Sequence, residues 1–364
     1  MKITGYEATI LNIPDDDVLA NMPEEVGRTR PVVILRLRTD SGIEGIGVTF
    51  YGGAMTGSLK VGVEELAAIT VGEDPLRIEY IVEKLRKAAG NSCGPGGIFT
   101  LALSAIDVAL WDIKGKALDQ PLWKLLGGHR DRIATYASGS LRRGLSDDQV
   151  QRATQILVAK GFTAMKTQMA LPGNPSPADE IRRVRTVREA IGPDIKLMCD
   201  INQRWRPEQA IDLGARVADI GLFWLEDVTA ADDYQGLARV TAALKTPVAG
   251  GEYLWGVTPF RHMIEARSVD IVMIDIVRVG GVTQWMKVAG MAEAFNLPVV
   301  SHVMPETLVH VVAACPSGLT VEYMPWMLAL YEETPALEDG ELVLPDRPGL
   351  GLTFDEEAVA AFKA

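Results

Sequence analysis

From residue 132 onward, short apolar segments alternate with longer segments whose apolar residues recur at helical spacing. The apolar segments number eight: RIATYASG, AMKTQM, IKLMCDIN, GLFWLED, PVAGGE, DIVMID, PVVSHV and LTVEYM. Helix signals fill the intervals, since Ser146 and Ser176 are suitable N-terminal caps and Gly161 and Gly192 are suitable stops. Eight strands that alternate with helices predict an α/β fold, a (β/α)₈ barrel of the TIM type. An open doubly wound sheet is the alternative.

Before residue 132 the pattern is different, because strand-like periods come first and helical periods come after them. The segment PVVILRLRTDSGIEGIGVTF predicts two antiparallel strands around a turn at 40–42. Helical periods extend from about 61 to 127, and the tail after 325 is polar and rich in turns. We therefore predict three parts: an α+β capping domain over 1–128, the barrel over 129–325, and a segment over 326–364 that returns to the capping domain.

The composition is that of a soluble globular protein with an acidic surface. Of the 364 residues, 48% are hydrophobic, and 36 basic against 48 acidic residues give a net charge of −12. This charge argues against nucleic acid and anionic membranes as partners, but a small anionic substrate needs only a local cationic pocket. No run approaches the roughly 18 apolar residues of a membrane span. Three widely spaced cysteines and an acidic N-terminal region predict a reduced, cytoplasmic protein.

Polar side chains close the predicted strands, and in a barrel those ends form the face that carries the chemistry. Acidic residues end the third, fourth and fifth strands at Asp200, Glu226 and Glu252, one strand–helix unit apart. Converging carboxylates repel one another unless a cation lies between them, and carboxylate oxygens favour Mg²⁺. The sequence therefore predicts one Mg²⁺ held by these three residues. The alternative is that each carboxylate caps the helix that comes after it.

The ends of three other strands carry residues suited to proton transfer and anion binding. Asp275 and His302 end the sixth and seventh strands, so Asp275 is expected to accept a hydrogen bond from the imidazole and raise its basicity. A purely structural histidine is the alternative. Lys166 and Gln168 share one face of the second strand, since side chains alternate. Lys166 is expected to pair with an anionic substrate group or a carboxylate, unless it extends to solvent at the barrel rim.

Taken in order, these motifs resemble those of the enolase superfamily, mandelate racemase subgroup. The resemblance covers nearly the whole chain and rests on LALSAIDVALWDIKGKALDQPLWKLLGG, DINQ, WLED, GGE, DIVRVGGVT, SHV and PDRPGLGL. The ordered set of strand-end residues is specific, although any one of them alone is a weak signal. The resemblance implies a modified TIM-like barrel beneath an α+β capping domain built from both termini, and a homo-oligomer.

The resemblance also implies a role for each strand-end residue. The implied roles are metal ligands for Mg²⁺ (Asp200, Glu226 and Glu252), a catalytic dyad (Asp275 and His302) and an electrophilic carboxyl (Glu322). The implied reaction begins with removal of the proton α to a carboxylate, which gives an enediolate. Mg²⁺ and Lys166 would neutralise that charge, and a protonated Glu322 is expected to donate a hydrogen bond to it.

The second strand departs from the family pattern, in which Lys-x-Lys supplies a second base. Here the motif is Lys166-Thr167-Gln168, so His302 is the single predicted base. Gln168 is expected to hydrogen-bond a substrate hydroxyl, and Asn202 is a further predicted substrate-binding residue. One histidine can remove the α-proton and then protonate the departing β-hydroxyl on the same face. The sequence therefore favours syn dehydration of an acid sugar, an aldonate or aldarate, to a 2-keto-3-deoxy acid.

Two other functions are compatible with these residues. One is a racemase, epimerase or lactone cycloisomerase on the same scaffold; Gln168 argues against the versions that need two bases. The other is a metal-binding or sugar-acid-binding relative without catalysis. The family implies that loops over about 14–30 and 50–57 select the substrate. Arg28 and Arg30 in the first loop are candidates to meet a distal carboxylate, with surface ion pairing as the alternative.

Overall fold

The computed structural model describes residues 1–22, 28–90 and 94–364. Part of the predicted loop over 14–30, and Cys93, lie outside the described residues. The chain opens with an antiparallel sheet of β1 (Ile3–Pro14), β2 (Thr29–Thr39) and β3 (Glu44–Thr49), in that order. The predicted hairpin is confirmed, because Arg38 pairs with Glu44 across the turn.

Helices α1 (Thr56–Thr70), α2 (Ile78–Ala88), α3 (Gly97–Ala117) and α4 (Leu122–Leu125) come after this sheet. The longest of them, α3, packs against β3 at very short range because two strand glycines face it. A Cβ at Gly45 would lie 2.2 Å from the carbonyl oxygen of Ala109, and one at Gly47 would lie 2.1 Å from that of Ala105. Any larger residue at either position would force the helix away from the sheet.

Parallel strands form a closed barrel in the second part of the chain. They are β4 (Arg132–Leu141), β5 (Ala164–Gln168), β6 (Lys196–Asp200), β7 (Trp224–Glu226), β8 (Val248–Gly250), β9 (Ile271–Asp275), β10 (Val299–His302) and β11 (Gly318–Tyr323). The last strand, β11, pairs with β4 through Glu322 and Tyr136, which closes the barrel. The predicted (β/α)₈ barrel is thereby confirmed, and the open sheet is excluded.

Helices connect these strands: α5 (Asp147–Ala159), α6 (Pro177–Ile191), α7 (Pro207–Arg216), α8 (Tyr234–Ala243), α9 (Thr258–Glu265), α10 (Ile276–Val279), α11 (Val282–Ala294) and α12 (Pro305–Ala314). Two of them begin at the predicted caps. The side chain of Ser146 accepts a hydrogen bond from the backbone N–H of Gln149, and that of Ser176 accepts one from the backbone N–H of Asp179. In turn, the side chains of Gln149 and Asp179 accept hydrogen bonds from the backbone N–H groups of these two serines. None of the described helices is both long and apolar enough to cross a lipid bilayer.

Side chains fill the inside of the barrel below the strand ends. Tyr136 and Trp224 are fully buried there, with their rings edge to face and the ring centroids 5.3 Å apart. Smaller apolar residues complete this layer: Ala164, Met198, Ala249, Ile271, Met273 and Val300. The polar residues at the strand ends therefore rest on an apolar floor, where an unpaired charge is costly.

The tail after residue 325 contacts both the barrel and the N-terminal sheet. Its hairpin, β12 (Ala336–Glu338) and β13 (Glu341–Val343), adds antiparallel to the start of β4. Farther along, α13 (Glu356–Phe362) lies beside β1, where Leu11 pairs with Lys363. The domain bounds at 128 and 325 stay a prediction.

One buried carboxylate joins helix, sheet and tail. Asp112 of α3 accepts hydrogen bonds from the backbone N–H of Ile46 in β3 (3.0 Å) and of Leu350 in the tail (2.9 Å). Lys116, one helical turn away, completes the site with an ion pair of 2.7 Å. Asp112 thus connects segments that are far apart in sequence.

The close packing of α3 on β3 leads to a stability prediction. Gly47→Ala would place a Cβ against the backbone of α3, and overpacking of this kind costs about 1–3 kcal/mol. We therefore expect a lower midpoint in chemical and thermal unfolding. Gly57→Ala in α1 is the matched control, because no atom of the described residues lies within 4 Å of its added Cβ. An unfolding midpoint for Gly47→Ala equal to that of the control would contradict the described packing.

Candidate active site

Two adjoining cavities lie at the carboxyl ends of the barrel strands, with volumes of about 340 and 100 Å³. Gln168, Asn202, Glu252 and His302 line both of them. A larger groove of about 650 Å³ adjoins the first cavity at Trp326 and has mostly apolar walls, such as Phe162. Because the predicted site residues gather at the strand ends and not in the larger groove, the strand ends form the candidate active site.

Glu226 lies at the centre of this site, fully buried and held at both carboxylate oxygens. Its Oε1 is 2.5 Å from Nζ of Lys166, and its Oε2 accepts a hydrogen bond of 2.8 Å from Nε1 of Trp224. Burial raises the pKa of Glu226 to about 8, although the charge of Lys166 acts in the opposite direction. A further cation beside Glu226 would therefore stabilise its charged form.

Three carboxylates converge most closely, and they are not the three that the sequence predicts. Glu226, Asp227 and Glu252 each offer an oxygen within 4.8 Å of the others. Asp200 lies beside them, since it pairs in register with Glu226, but both of its oxygens accept hydrogen bonds of 2.7 Å from Asn202. The structure thus brings Glu226 and Glu252 together, adds Asp227, and leaves Asp200 at the edge of the group.

Asp227 joins this group because of its backbone conformation. Its φ of 42° is left-handed, so the chain turns sharply at the end of β7 instead of continuing the strand alternation. The side chain is buried, and its Oδ2 has no hydrogen-bond partner among the described residues. Burial, and then the charges of Glu252 and Glu226, raise the pKa of Asp227 well above its usual value.

The chemistry of this group fits a hard divalent cation. All of the converging groups are carboxylates, and an unpartnered buried oxygen of Asp227 lies among them. Oxygen-only ligand sets of this kind suit Mg²⁺ rather than a soft metal. Asp200, Glu226 and Glu252, with Asp227 adjacent, are the residues that could hold such an ion.

Asp275 and His302 form the predicted pair across adjacent strands. Their Cα atoms are in register, and Nδ1 of His302 lies 2.6 Å from Oδ2 of Asp275. The other oxygen of Asp275 accepts hydrogen bonds from the backbone N–H groups of Val277 (2.9 Å) and Arg278 (2.7 Å). Burial raises the pKa of Asp275, but Arg278 and His302 outweigh burial and lower it. The ionised Asp275 therefore holds the proton of His302 on Nδ1.

The second imidazole nitrogen faces the acidic group. Nε2 of His302 lies 3.3 Å from Oε2 of Glu252, and the side chain is 14% exposed. Burial lowers the pKa of His302, but the charges of Glu252 and Asp275 outweigh burial and raise it to about 9. Because Asp275 occupies Nδ1, Nε2 is the nitrogen that can exchange a proton with a bound molecule.

Lys166 lies between two carboxylates. Its Nζ is 2.5 Å from Glu226 and 2.7 Å from Oε1 of Glu322. Burial lowers the pKa of Lys166, but these two neighbours outweigh burial and raise it well above its usual value. The predicted pairing with a carboxylate is therefore present, and Lys166 keeps its charge.

Glu322 differs from the expectation of a protonated, hydrogen-bond-donating group. Burial raises its pKa, but Lys166 and His302 outweigh burial and lower the pKa of Glu322 to about 2. Its Oε2 accepts a hydrogen bond of 2.6 Å from the backbone N–H of Val303. Val303 and the next residue, Met304, both have left-handed φ angles, 47° and 45°, and this turn aims the N–H at Glu322. This environment favours the ionised form of Glu322.

Gln168 and Asn202 lie together on one wall of the cavity, with Nε2 of Gln168 3.2 Å from Oδ1 of Asn202. Arg143, in the loop after β4, contacts both amides. The sequence alone does not identify Arg143, because nothing in the local pattern SLRRG distinguishes it from a surface arginine.

The arginines of the first capping loop are already paired. Nε of Arg28 lies 3.0 Å from Asp15, and Nε of Arg30 lies 2.5 Å from the same carboxylate. Arg30 also borders the cavity, where its guanidinium carbon lies 5.2 Å from the ring centroid of Trp326. The structure thus has these two arginines in ion pairs, which was the alternative to binding a distal carboxylate.

The fold and the site together define a class of protein: a closed (β/α)₈ barrel whose acidic strand ends lie beneath an α+β cap. The chain belongs to the mandelate racemase/muconate lactonizing enzyme family of the enolase superfamily. Residues 17–127 match the N-terminal domain of that family, and residues 148–358 match the enolase C-terminal domain-like family. The family resemblance seen in the sequence is thereby confirmed.

Named relatives include hydro-lyases and a cycloisomerase. The chain is 36% identical over 339 residues to an L-talarate/galactarate dehydratase of Salmonella typhimurium, covering 91% of this chain and 84% of that protein. It is 33% identical over 331 residues to a 3,6-anhydro-alpha-L-galactonate cycloisomerase of Streptomyces coelicolor, covering 90% of each. A solved structure of L-talarate dehydratase from Polaromonas sp. JS666, complexed with Mg and L-glucarate, has a TM-score of 0.90 at 30% identity. The match covers 100% of this chain and 97% of that chain.

The His302–Asp275 contact predicts how the histidine titrates. In metal-free protein, Asp275→Asn removes one of the charges that raise the pKa of His302, so this pKa should fall from about 9 to about 8 or below. NMR titration of the ¹⁵N-labelled imidazole in the presence of EDTA measures it. Asp270→Asn is the control, because Asp270 precedes the same strand and its carboxylate accepts a hydrogen bond from the N–H of Val248, at the end of the strand away from His302. Equal His302 titration in both variants would contradict the described pairing.

Proposed function

We propose that this chain is a Mg²⁺-dependent hydro-lyase that dehydrates an acid sugar to a 2-keto-3-deoxy acid. One observation carries the proposal: among the described residues that line the cavity, His302 is the single histidine, and Gln168 stands where the family has its second base. Gln168 cannot take a proton, and Lys166 is held in its charged form between two carboxylates. A site with one base favours elimination on one face over inversion at a carbon.

We place the metal at Asp200, Glu226 and Glu252, with Asp227 close by. The convergence of Glu226 and Glu252 supports this assignment, as does the unpartnered oxygen of Asp227. When bound, Mg²⁺ would neutralise these carboxylates and stabilise negative charge that develops on the substrate carboxylate. The choice of Mg²⁺ is supported by the Polaromonas dehydratase, which is complexed with Mg and L-glucarate.

Lys166 and His302 have different roles in the proposed reaction. Lys166 lines the deeper cavity and is fully charged, so it binds and neutralises the substrate carboxylate. His302 must be neutral to accept a proton. Compensation of the charge of Glu252, which is the strongest of the influences that raise the pKa of His302, favours that neutral form.

The proposed reaction conserves protons. Nε2 of His302 takes the proton from the carbon next to the carboxylate, while Asp275 stabilises the resulting imidazolium. The bond between the next carbon and its hydroxyl then breaks, and the imidazolium returns the same proton to the departing oxygen, which leaves as water. The enol that remains converts to the 2-keto-3-deoxy acid, and His302 is neutral again.

An isomerase is the second candidate, and the similarity to the Streptomyces cycloisomerase favours a version that needs only one base. Hydrogen exchange in D₂O identifies an epimerase, because an epimerase exchanges the α-proton of both epimers. Product mass separates a cycloisomerase, whose product is isomeric with its substrate, from a hydro-lyase, whose product has lost water. The predicted cytoplasmic location and homo-oligomeric state stay predictions; sedimentation velocity tests the second.

Our first functional prediction concerns substrate and metal. A library of mono- and diacid sugars, incubated with the protein and Mg²⁺, should yield a 2-keto-3-deoxy acid from at least one member, detected as semicarbazone absorbance. EDTA should abolish the signal, and added Mg²⁺ should restore it. If no member of the library reacts in the presence of Mg²⁺, the proposed function is wrong.

A second prediction concerns the base. His302→Asn should lower turnover and α-proton exchange by at least about 10²–10⁴-fold, because the same residue serves as base and then as acid. Asp275→Asn should lower turnover by a smaller factor, since the imidazole remains but is poorly oriented. His262→Asn is the control, because His262 is exposed on α9 and contacts Arg261. Near-normal α-proton exchange in His302→Asn would reveal a different base and refute the single-base mechanism.

A further inference from the structure

The loop after β4 brings a guanidinium to the wall of the cavity where the family has its second lysine. The backbone N–H of Arg143 lies 3.2 Å from Oε1 of Gln168, and its Nε lies 3.3 Å from the same oxygen. Nη2 of Arg143 also hydrogen-bonds Oδ1 of Asn202. Arg143 is half-buried and lies behind the two amides.

The donor-only chemistry of arginine decides which way the Gln168 amide faces. Guanidinium and backbone N–H groups cannot accept hydrogen bonds, so the atom of Gln168 that meets them must be its carbonyl oxygen. Nε2 of Gln168 consequently faces away from Arg143, toward Asn202 and the cavity. At this position the wall of the cavity therefore presents an N–H donor to a bound molecule, and the Gln168 amide cannot take a proton.

Asn202 and Asp200 are oriented in the same way. Oδ1 of Asn202 meets donors from both Arg143 and Gln168, so its Nδ2 must point the other way. That Nδ2 donates to Oδ2 of Asp200 at 2.7 Å, and the backbone N–H of Asn202 donates to Oδ1 at 2.7 Å. Both oxygens of Asp200 are thus oriented by a residue whose own amide is oriented by Arg143.

We infer that Arg143 is a positioning residue that fixes the amides of Gln168 and Asn202 and, through Asn202, the carboxylate of Asp200. The inference rests on the proposed function, since it treats Asp200 as a metal ligand and Gln168 as a substrate contact. It adds a specificity: the substrate group next to Gln168 must be a hydrogen-bond acceptor, such as a hydroxyl or carboxylate oxygen.

The proposed effect of Arg143 on Asp200 can be tested by measuring the binding of Mg²⁺ without a substrate. Removing a group that orients a metal ligand typically weakens metal affinity about 10–100-fold, so Arg143→Met and Asn202→Ala should each raise the Mg²⁺ dissociation constant, measured by calorimetry, by about 10-fold or more. Because Arg143 acts through Asn202, the double variant should bind Mg²⁺ about as weakly as Asn202→Ala. Arg143→Lys, which keeps the charge but loses the planar fork, should also bind more weakly than wild type.

Arg188→Met is the matched control. Arg188 is also partly buried, but within the described part of the chain it donates to main-chain carbonyls alone, among them those of Ile195 and Ile220, at the other end of the barrel. Its Mg²⁺ affinity should equal that of wild type. A Mg²⁺ dissociation constant within about twofold of wild type for a folded Arg143→Met or Arg143→Lys would overturn the inference, as would independent, multiplying effects in the double variant.

The proposed effect of Arg143 on the Gln168 amide can be tested by NMR without a substrate. With ¹⁵N-labelled glutamine, the side-chain NH₂ of Gln168, assigned from its loss in Gln168→Glu, should have proton shifts in wild type that differ from those of a solvent-exposed glutamine amide. In Arg143→Met these shifts should move toward the solvent-exposed values, whereas Arg188→Met should leave them in place. Unchanged Gln168 shifts in Arg143→Met would overturn the inference. Neither test uses an acid sugar, so these outcomes are separate from failure of the dehydratase assay.

Discussion

The burial of several carboxylates at one end of the barrel is the constraint on which the rest of the site depends. Asp200, Glu226, Asp227 and Glu252 are all buried above an apolar layer of side chains, where uncompensated negative charge costs several kcal/mol. The groups that offset this charge are Lys166, Arg278 and His302. Proximity to the carboxylates raises the pKa values of Lys166 and His302, whereas burial raises the pKa of Glu226 against the influence of Lys166.

Backbone turns at the strand ends orient the polar groups of the site. Asn202, Asp227 and Val303 come after three different barrel strands, and each has a left-handed φ, 49°, 42° and 47° respectively. Non-glycine residues rarely adopt this conformation, and such residues often occur at functional sites. Here the turns aim the amide of Asn202 at Asp200 and the N–H of Val303 at Glu322. The same feature that shapes the barrel rim therefore orients the groups that face the substrate.

Features that depend on period and strand order could be predicted from the sequence, whereas features that depend on loops and turns could not. Strand alternation and the parallel order of a barrel were enough to identify the eight strands and the contact of Asp275 with His302. They could not identify Asp227 as part of the acidic group, because a left-handed residue breaks the alternation on which the prediction rests. Arg143 could not be predicted as a site residue because the residues it contacts lie later in the chain. The ionisation of Glu322 depends on distances to Lys166 and Val303 that no sequence pattern encodes.

Asp112 connects the N-terminal sheet to the tail, and this connection affects the order in which parts of the chain can fold. Asp112 requires the backbone N–H of Leu350, and Arg36 in β2 pairs with Glu356, so these contacts close loops of 238 and 320 residues. Long loops close slowly, and during synthesis the ribosome releases the tail last. The barrel strands are therefore available to pair before the cap can be completed. A nascent cap consequently has a buried carboxylate without one of its partners until residue 350 emerges.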